Sequence, residues 1–226
     1  PKLNHPSILK FIGYNPKEPN EKKLSIIMEY SPKGSLLQYI DENLNETNKL
    51  IIIYGISSAM QYLHKHNILH CDLKTSNIYL DDLSIQMNDK DIYKTDKIKG
   101  TPAYLAPEVY LYNEYSKSSD VYSFSLIMYE LLTGYKPYEK LISPKQIKKL
   151  IAEEGERPLF DKPINKAYRQ LIERCWSQDP KLRPTFEEIV HELQTNSEFI
   201  TDEIDEEEYF TYVEYVNKYS VSFDST

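Results

Sequence analysis

His70-Cys71-Asp72-Leu73-Lys74-Thr75-Ser76-Asn77 sets an Asp five residues before an Asn, with a Lys between them. Two other chemistries compete for this stretch. His64, His66, His70 and Cys71 are four metal-ligand types in eight residues. Positions i and i+2 point to different sides of a helix, however, and no C-x-x-C or H-E-x-x-H spacing occurs. Cys71 beside His70 suggests a thiol nucleophile, but adjacent residues rarely make a working nucleophile and base. The Asp, Lys and Asn therefore carry the argument outward.

Immediately upstream, residues 46–66 place Leu50, Ile53, Tyr54, Ser57, Met60 and Leu63 along one helical face, so a helix delivers the loop at its C-terminal end. Residues 35–43 share that spacing. Residues 24–30, L-S-I-I-M-E-Y, form an expected buried strand; residues 9–14 alternate loosely like a second, and the polar 16–23, with two prolines, joins them as a hairpin loop. Downstream, residues 117–134 predict a helix with a stripe of Val121, Phe124, Ser125, Met128, Leu131 and Leu132, stopped by Gly134. Residues 144–154, 165–177 and 185–194 predict three more, the last opened by Pro184. From Thr201 a carboxylate run precedes Tyr209, Phe210, Tyr212, Val213, Tyr215, Val216 and Tyr219, which predicts an amphipathic tail helix. Such tails mostly pack on their own domain; a dedicated protein partner is the alternative.

A chain of 226 residues suffices for one well-buried core, and 40% hydrophobic content with 20 tyrosines fits a globular fold. The net charge of −8 offers no broad basic surface, which argues against nucleic acid. Two cysteines without a framework suit a reducing compartment, and no apolar run nears the roughly 18 residues of a membrane span. No signal pattern opens the chain, so the expectation is a cytoplasmic location. It begins at Pro1 rather than Met, and sequence is expected to precede it.

The 70–77 stretch resembles the protein-kinase catalytic loop, H-R-D-x-x-x-x-N. Further motifs follow in that family's order: Gly100-Thr101-Pro102-Ala103-Tyr104-Leu105-Ala106-Pro107-Glu108, then Ser119-Asp120-Val121-Tyr122-Ser123-Phe124, Cys175-Trp176, Asp179-Pro180 and Arg183-Pro184. The resemblance covers about residues 4–195 and is nearest to the tyrosine-kinase-like (TKL) group of mostly Ser/Thr kinases. It implies an α+β protein-kinase-like fold. Residues 1–30 would be a remnant of the N-lobe sheet running into the hinge, 31–195 a mostly helical C-lobe, and 196–226 the acidic, aromatic tail. It also implies ATP and Mg²⁺ as cofactors and a protein Ser/Thr hydroxyl as substrate. Asp72 would accept or orient the hydroxyl proton, Lys74 would steady the phosphoryl group, and Asn77 would ligate Mg²⁺. Thr101 would hydrogen-bond around Asp72 and Lys74. Met28 would be the gatekeeper, with the backbones of Glu29 and Ser31 and the side chain of Tyr79 at the adenine, where the family usually has a Leu for Tyr79. Structural roles fall to His70, to Asp120 beneath the loop, and to a buried Glu108–Arg183 ion pair.

Departures from the pattern matter equally. Cys71 replaces the Arg that in many kinases pairs with an activation-loop phosphate. The six glycines are never closer than 21 residues, so no G-x-G-x-x-G occurs, and there is no D-F-G. The strand Lys and helix Glu that pair in the family precede the region matched. Residues 78–83 resemble the strand before D-F-G and residues 84–91 the activation segment after it, as if about ten residues were missing between Leu83 and Ser84. Tyr93, Thr95 and Thr101 are candidate phosphorylation sites. The expectation is a Ser/Thr kinase whose 226 residues alone are inactive; the alternative is a pseudokinase serving as a binding or scaffolding module.

Overall fold

In a computed structural model, residues 3–15, 25–40, 44–80, 85–87, 98–139 and 143–221 are described. The expected hairpin loop at 16–23, the Leu83–Ser84 junction, Tyr93 and Thr95 lie outside them. The chain runs β1 (Phe11–Asn15), β2 (Ser25–Met28), α1 (Glu46–Lys65), β3 (Ile78–Leu80), β4 (Ile85–Met87) and α2 (Pro107–Tyr112). It continues through α3 (Lys117–Thr133), α4 (Pro144–Lys148), α5 (Lys166–Cys175), α6 (Phe186–Thr195) and α7 (Glu206–Val221).

The mostly helical body is built around α1 and α3. Asn45 caps α1 by accepting the Asn48 N–H at 2.7 Å, and beyond the helix Asn67 turns the chain at φ 59°. The predicted face of α1 is buried, and so are Ile52, Ile56, Ser58 and Ala59, because α6 and α7 pack along it. α3 differs more from its predicted stripe. Every residue from Ser119 to Leu131 is buried, making α3 the axis of the lobe rather than a surface helix. Its hydroxyls do not oppose this, because Ser125 Oγ donates to Tyr122 O at 2.6 Å and Thr133 Oγ1 to Tyr129 O at 2.7 Å. Gly134 ends α3 at φ 74°, a left-handed conformation that glycine adopts without a Cβ clash. Past α4 the chain widens into a π-helical turn, Lys149–Glu154, within the predicted helix.

Three expectations need correction. Residues 35–43 do not form a helix among the described residues; only a 3₁₀ turn, Leu36–Gln38, appears. Sheet pairing prevails there, since Gly34 O accepts the Leu80 N–H at 3.1 Å and Ser35 bridges to Tyr79. The 24–30 strand is not buried: Ile26 and Ile27 in β2 are 53% and 49% exposed, and Phe11, Ile12 and Tyr14 in β1 are similarly open. A two-stranded ribbon has too little width to cover its own apolar side chains. Finally, residues 85–87, within the 84–91 stretch read as the activation segment, are a strand. They form β4, antiparallel to β3 with Ile78 opposite Met87 and Leu80 opposite Ile85.

The tail helix lies on α1. Tyr209, Tyr212, Val213 and Val216 are buried, and the Tyr209 and Tyr212 rings meet Tyr54 edge-on with centroids 5.9 and 6.3 Å away. The Tyr54 hydroxyl donates to Asn217 Oδ1 at 3.0 Å and accepts from Gln194 Nε2 at 2.8 Å, joining α1, α6 and α7.

Just before β1, His5 is buried against α1. Its Nδ1 accepts the Ser7 N–H at 3.1 Å, and its Nε2 lies 3.3 Å from Ser58 Oγ. A proton on Nδ1 would face the Ser7 N–H, and burial pushes His5 down from 6.5 to about 4. The unfolded chain therefore takes up this proton first. His5 contributes stability in full above pH 6.5, and the contribution is lost as pH falls toward about 4, a change of ~3 kcal/mol. The stability gap between wild type and His5→Asn, followed by denaturant unfolding, should shrink by that order over this range. A gap constant with pH would show that His5 is not held neutral.

Candidate active site

Asp120, in the first turn of α3, is 2% exposed. Its Oδ2 accepts the His70 N–H at 2.9 Å and its Oδ1 the Cys71 N–H at 2.9 Å, while His64 Nε2 lies 3.0 Å from Oδ2. The loop after α1 is thereby tied to α3 from beneath. Cys71 sits at φ 61°, so the chain reverses sharply before Asp72. His70 supports that turn by accepting the Asp72 N–H on Nδ1 at 3.4 Å. His66 bonds Tyr62 O at 2.8 Å, so it and His64 face different groups. Burial foremost, then the Asp120 carboxylate, pushes the Cys71 thiol up to about 12, which makes it a poor nucleophile.

Asp72, Lys74, Asn77 and Thr101 converge. Thr101 Oγ1 donates to Asp72 Oδ1 at 3.0 Å and accepts from Lys74 Nζ at 2.7 Å, with Lys74 Nζ 3.6 Å from Asp72 Oδ2. Asn77 Nδ2 donates to Asp72 O at 2.7 Å and Asp72 Oδ2 at 3.0 Å. The amide nitrogen thus faces the carboxylate, and its Oδ1 has no hydrogen-bond partner among the described residues. That suits a hard cation, so these residues fit Mg²⁺. Thr101 is brought close by Gly100 at φ 101°, where a Cβ would meet Cys71 O and Leu105 Cδ2, each at 2.8 Å.

On the other side of β3, the strand carrying Tyr79, Ser31 Oγ donates to Leu80 O at 2.6 Å. Met28 ends β2 opposite Phe11, and the Glu29 N–H donates to Lys10 O at 2.9 Å. The predicted adenine residues thus flank the β2 end and β3, some apart from the Asp72 cluster in sequence but joined to it through the strand that follows Asn77.

The sequence reading missed a second layer. Glu130, 1% exposed in α3, accepts from Thr75 Oγ1 at 3.0 Å and from the Tyr104 hydroxyl, while Ser123 Oγ donates to Tyr104 O at 2.8 Å. Burial, then the Glu130 charge, holds Tyr104 protonated well above its usual range. This network fastens residues 75 and 104, on either side of the Asp72 cluster, to one helix. The only sequence signal was a carboxylate inside the apolar run L-I-M-Y-E-L-L.

Farther out, Arg183 and Glu108 form a bidentate pair at 2.7 and 2.8 Å. Arg183 also donates to Ser177 O and Ser118 O, each at 2.9 Å. Its side chain is fully buried and Glu108's is 8% exposed, so the pair sits in a low-dielectric setting.

Residues 1–193 match the family model described as protein tyrosine and serine/threonine kinase. A probable serine/threonine-protein kinase of Dictyostelium discoideum is 35% identical over 209 residues, covering 84% of this chain and 15% of the relative. Serine/threonine-protein kinase STY17 of Arabidopsis thaliana is 32% identical, covering 85% of the chain and 35% of the relative. Serine/threonine/tyrosine-protein kinase HT1, also of Arabidopsis thaliana, is 32% identical, covering 89% and 54%. The chain spans about half or less of the length of these relatives.

Because removing one member of a buried pair strands the other, Arg183→Ala should cost about 3 to 5 kcal/mol. Arg183→Lys should restore only part of this, since an ammonium cannot make the two-pronged contact. Denaturant midpoints measure both, and an unchanged midpoint for Arg183→Ala would mean the pair does not form.

Proposed function

The chain belongs to the protein tyrosine and serine/threonine kinase family, and on that premise we propose that the protein carrying it is an ATP-dependent, cytoplasmic Ser/Thr kinase of the tyrosine-kinase-like group. The observation that carries this reading is Thr101, whose one hydroxyl accepts from Lys74 and donates to Asp72. A relic site has no physical need to hold a carboxylate, an ammonium and a hydroxyl in mutual contact.

The residues then take distinct parts. Asp72 orients the substrate hydroxyl and receives its proton as the oxygen attacks. Lys74, 23% exposed at its side chain, places a positive charge beside the transferring group. Thr101 keeps Lys74 and Asp72 in register, and its position favours Ser and Thr substrates. Asn77 Oδ1 would hold Mg²⁺, which supplies charge neutralisation at the phosphates. Met28, Glu29, Ser31 and Tyr79 would border the adenine. His70, Asp120, Glu108 and Arg183 keep the loop and the following segment in place.

A pseudokinase acting as a protein-binding module is the second reading. It is favoured by the lack of D-F-G in these 226 residues. That part neutralises developing charge, so the chain by itself is expected to be inactive. The acidic tail is its candidate partner surface.

The two readings separate in a Mg²⁺-ATP transfer assay of the full-length protein on a generic Ser/Thr protein substrate. Transfer should be measurable, and Asp72→Asn should lower it about 10²- to 10⁴-fold without lowering stability. The isolated 226 residues should show none. A full-length protein without transfer would establish the binding-module reading, and transfer indifferent to Asp72→Asn would remove Asp72 from the reaction.

A further inference from the structure

Thr101 joins Asp72 to Lys74, yet the chain that delivers it is exposed over residues 98–100, and Gly100 at φ 101° adopts its conformation without being held in it. Two tyrosine hydroxyls bracket the threonine. The Tyr115 hydroxyl donates to Lys99 O at 2.8 Å and accepts the Lys99 N–H at 2.6 Å, gripping both backbone polar groups of one residue. On the far side, the Tyr110 hydroxyl donates to Pro102 O at 2.6 Å. Burial pushes both phenols above their usual range, so each keeps the proton it donates at neutral pH.

The two tyrosines are themselves anchored. Tyr110 is 7% exposed in α2, and Tyr115 immediately precedes Ser116, whose N–H donates to Ser119 Oγ at 2.9 Å in the capping box that opens α3. The N-terminal end of α3 therefore carries two attachments. Asp120 takes the His70 and Cys71 N–H groups just before Asp72, and Tyr115 takes Lys99 just before Gly100 and Thr101.

We propose that Tyr115 and Tyr110 are positioning residues for Thr101, their hydroxyls fixing its backbone so that one Oγ1 reaches Asp72 and Lys74 at once. Those contacts, at 3.0 and 2.7 Å, leave little tolerance. A shift of about 1 Å would break both. The effect on turnover rests on the proposed kinase activity, whereas the clamp itself does not.

Tyr115→Phe and Tyr110→Phe each remove one hydroxyl and keep the ring. In the full-length protein, Tyr115→Phe should lower kcat about 10-fold, with KM for ATP and the melting midpoint unchanged. Tyr110→Phe should lower it less, since Pro102 O also accepts the Leu105 N–H at 3.3 Å. The second variant keeps the test intact if the first disturbs folding. In a Thr101→Ala background, where the contact to be positioned is gone, either change should alter kcat by less than about 2-fold. An unchanged kcat, or a loss of equal size in both backgrounds, would overturn the proposal. Hydrogen exchange measured by mass spectrometry reads the clamp without turnover, and exchange at residues 99–101 should rise about 10-fold in Tyr115→Phe. Unchanged exchange would overturn the clamp even in a protein without transfer. Raised exchange in such a protein would uphold the clamp while the kinase reading falls.

Discussion

A carboxylate at the start of α3 is the constraint on which the site depends. Asp120 is almost without solvent, and an unpaired buried charge would cost several kcal/mol. It is tolerated because three donors from α1 and the loop converge on it: His64, His70 N–H and Cys71 N–H. The reverse dependence is as strong. Without that acceptor, two backbone N–H groups would lack partners just where Cys71 adopts its left-handed turn. The geometry of Asp72 is thus a consequence of how α3 is buried.

The catalytic cluster was legible because its members are close in sequence and chemically distinct. Asp72, Lys74 and Asn77 announce themselves by spacing, and Thr101 by the glycine and proline around it. Glu130 was not legible, since one carboxylate in an apolar run cannot disclose that Thr75 and Tyr104 will meet it across 55 and 26 residues. The helices other than α2 were found by periodicity and caps, α5 and α6 almost to the residue. α3 was read with a single apolar stripe, whereas its burial runs all round because serines off that stripe also bond to backbone carbonyls. Residues 35–43 show the converse. A helical pattern yielded to strand pairing at Gly34 and Ser35, an outcome decided by β3 some 45 residues away.

The lobe also has unequal surfaces. α7 is covered on its apolar side by α1 and α6, whereas β1 and β2 present Phe11, Ile12, Tyr14, Ile26 and Ile27 outward. A two-stranded ribbon leaves these side chains uncovered among the described residues.

The Glu108–Arg183 pair finally bears on the speed at which the lobe comes apart. Its partners are 75 residues apart, and closing so long a loop is entropically costly before other contacts have shortened it. Such a contact forms late, after the helices between have packed. A bond made after the folding barrier has little influence on the rate of folding and much on the rate of unfolding. The buried pair therefore acts as a latch, setting how long the native lobe persists more than how quickly it is reached.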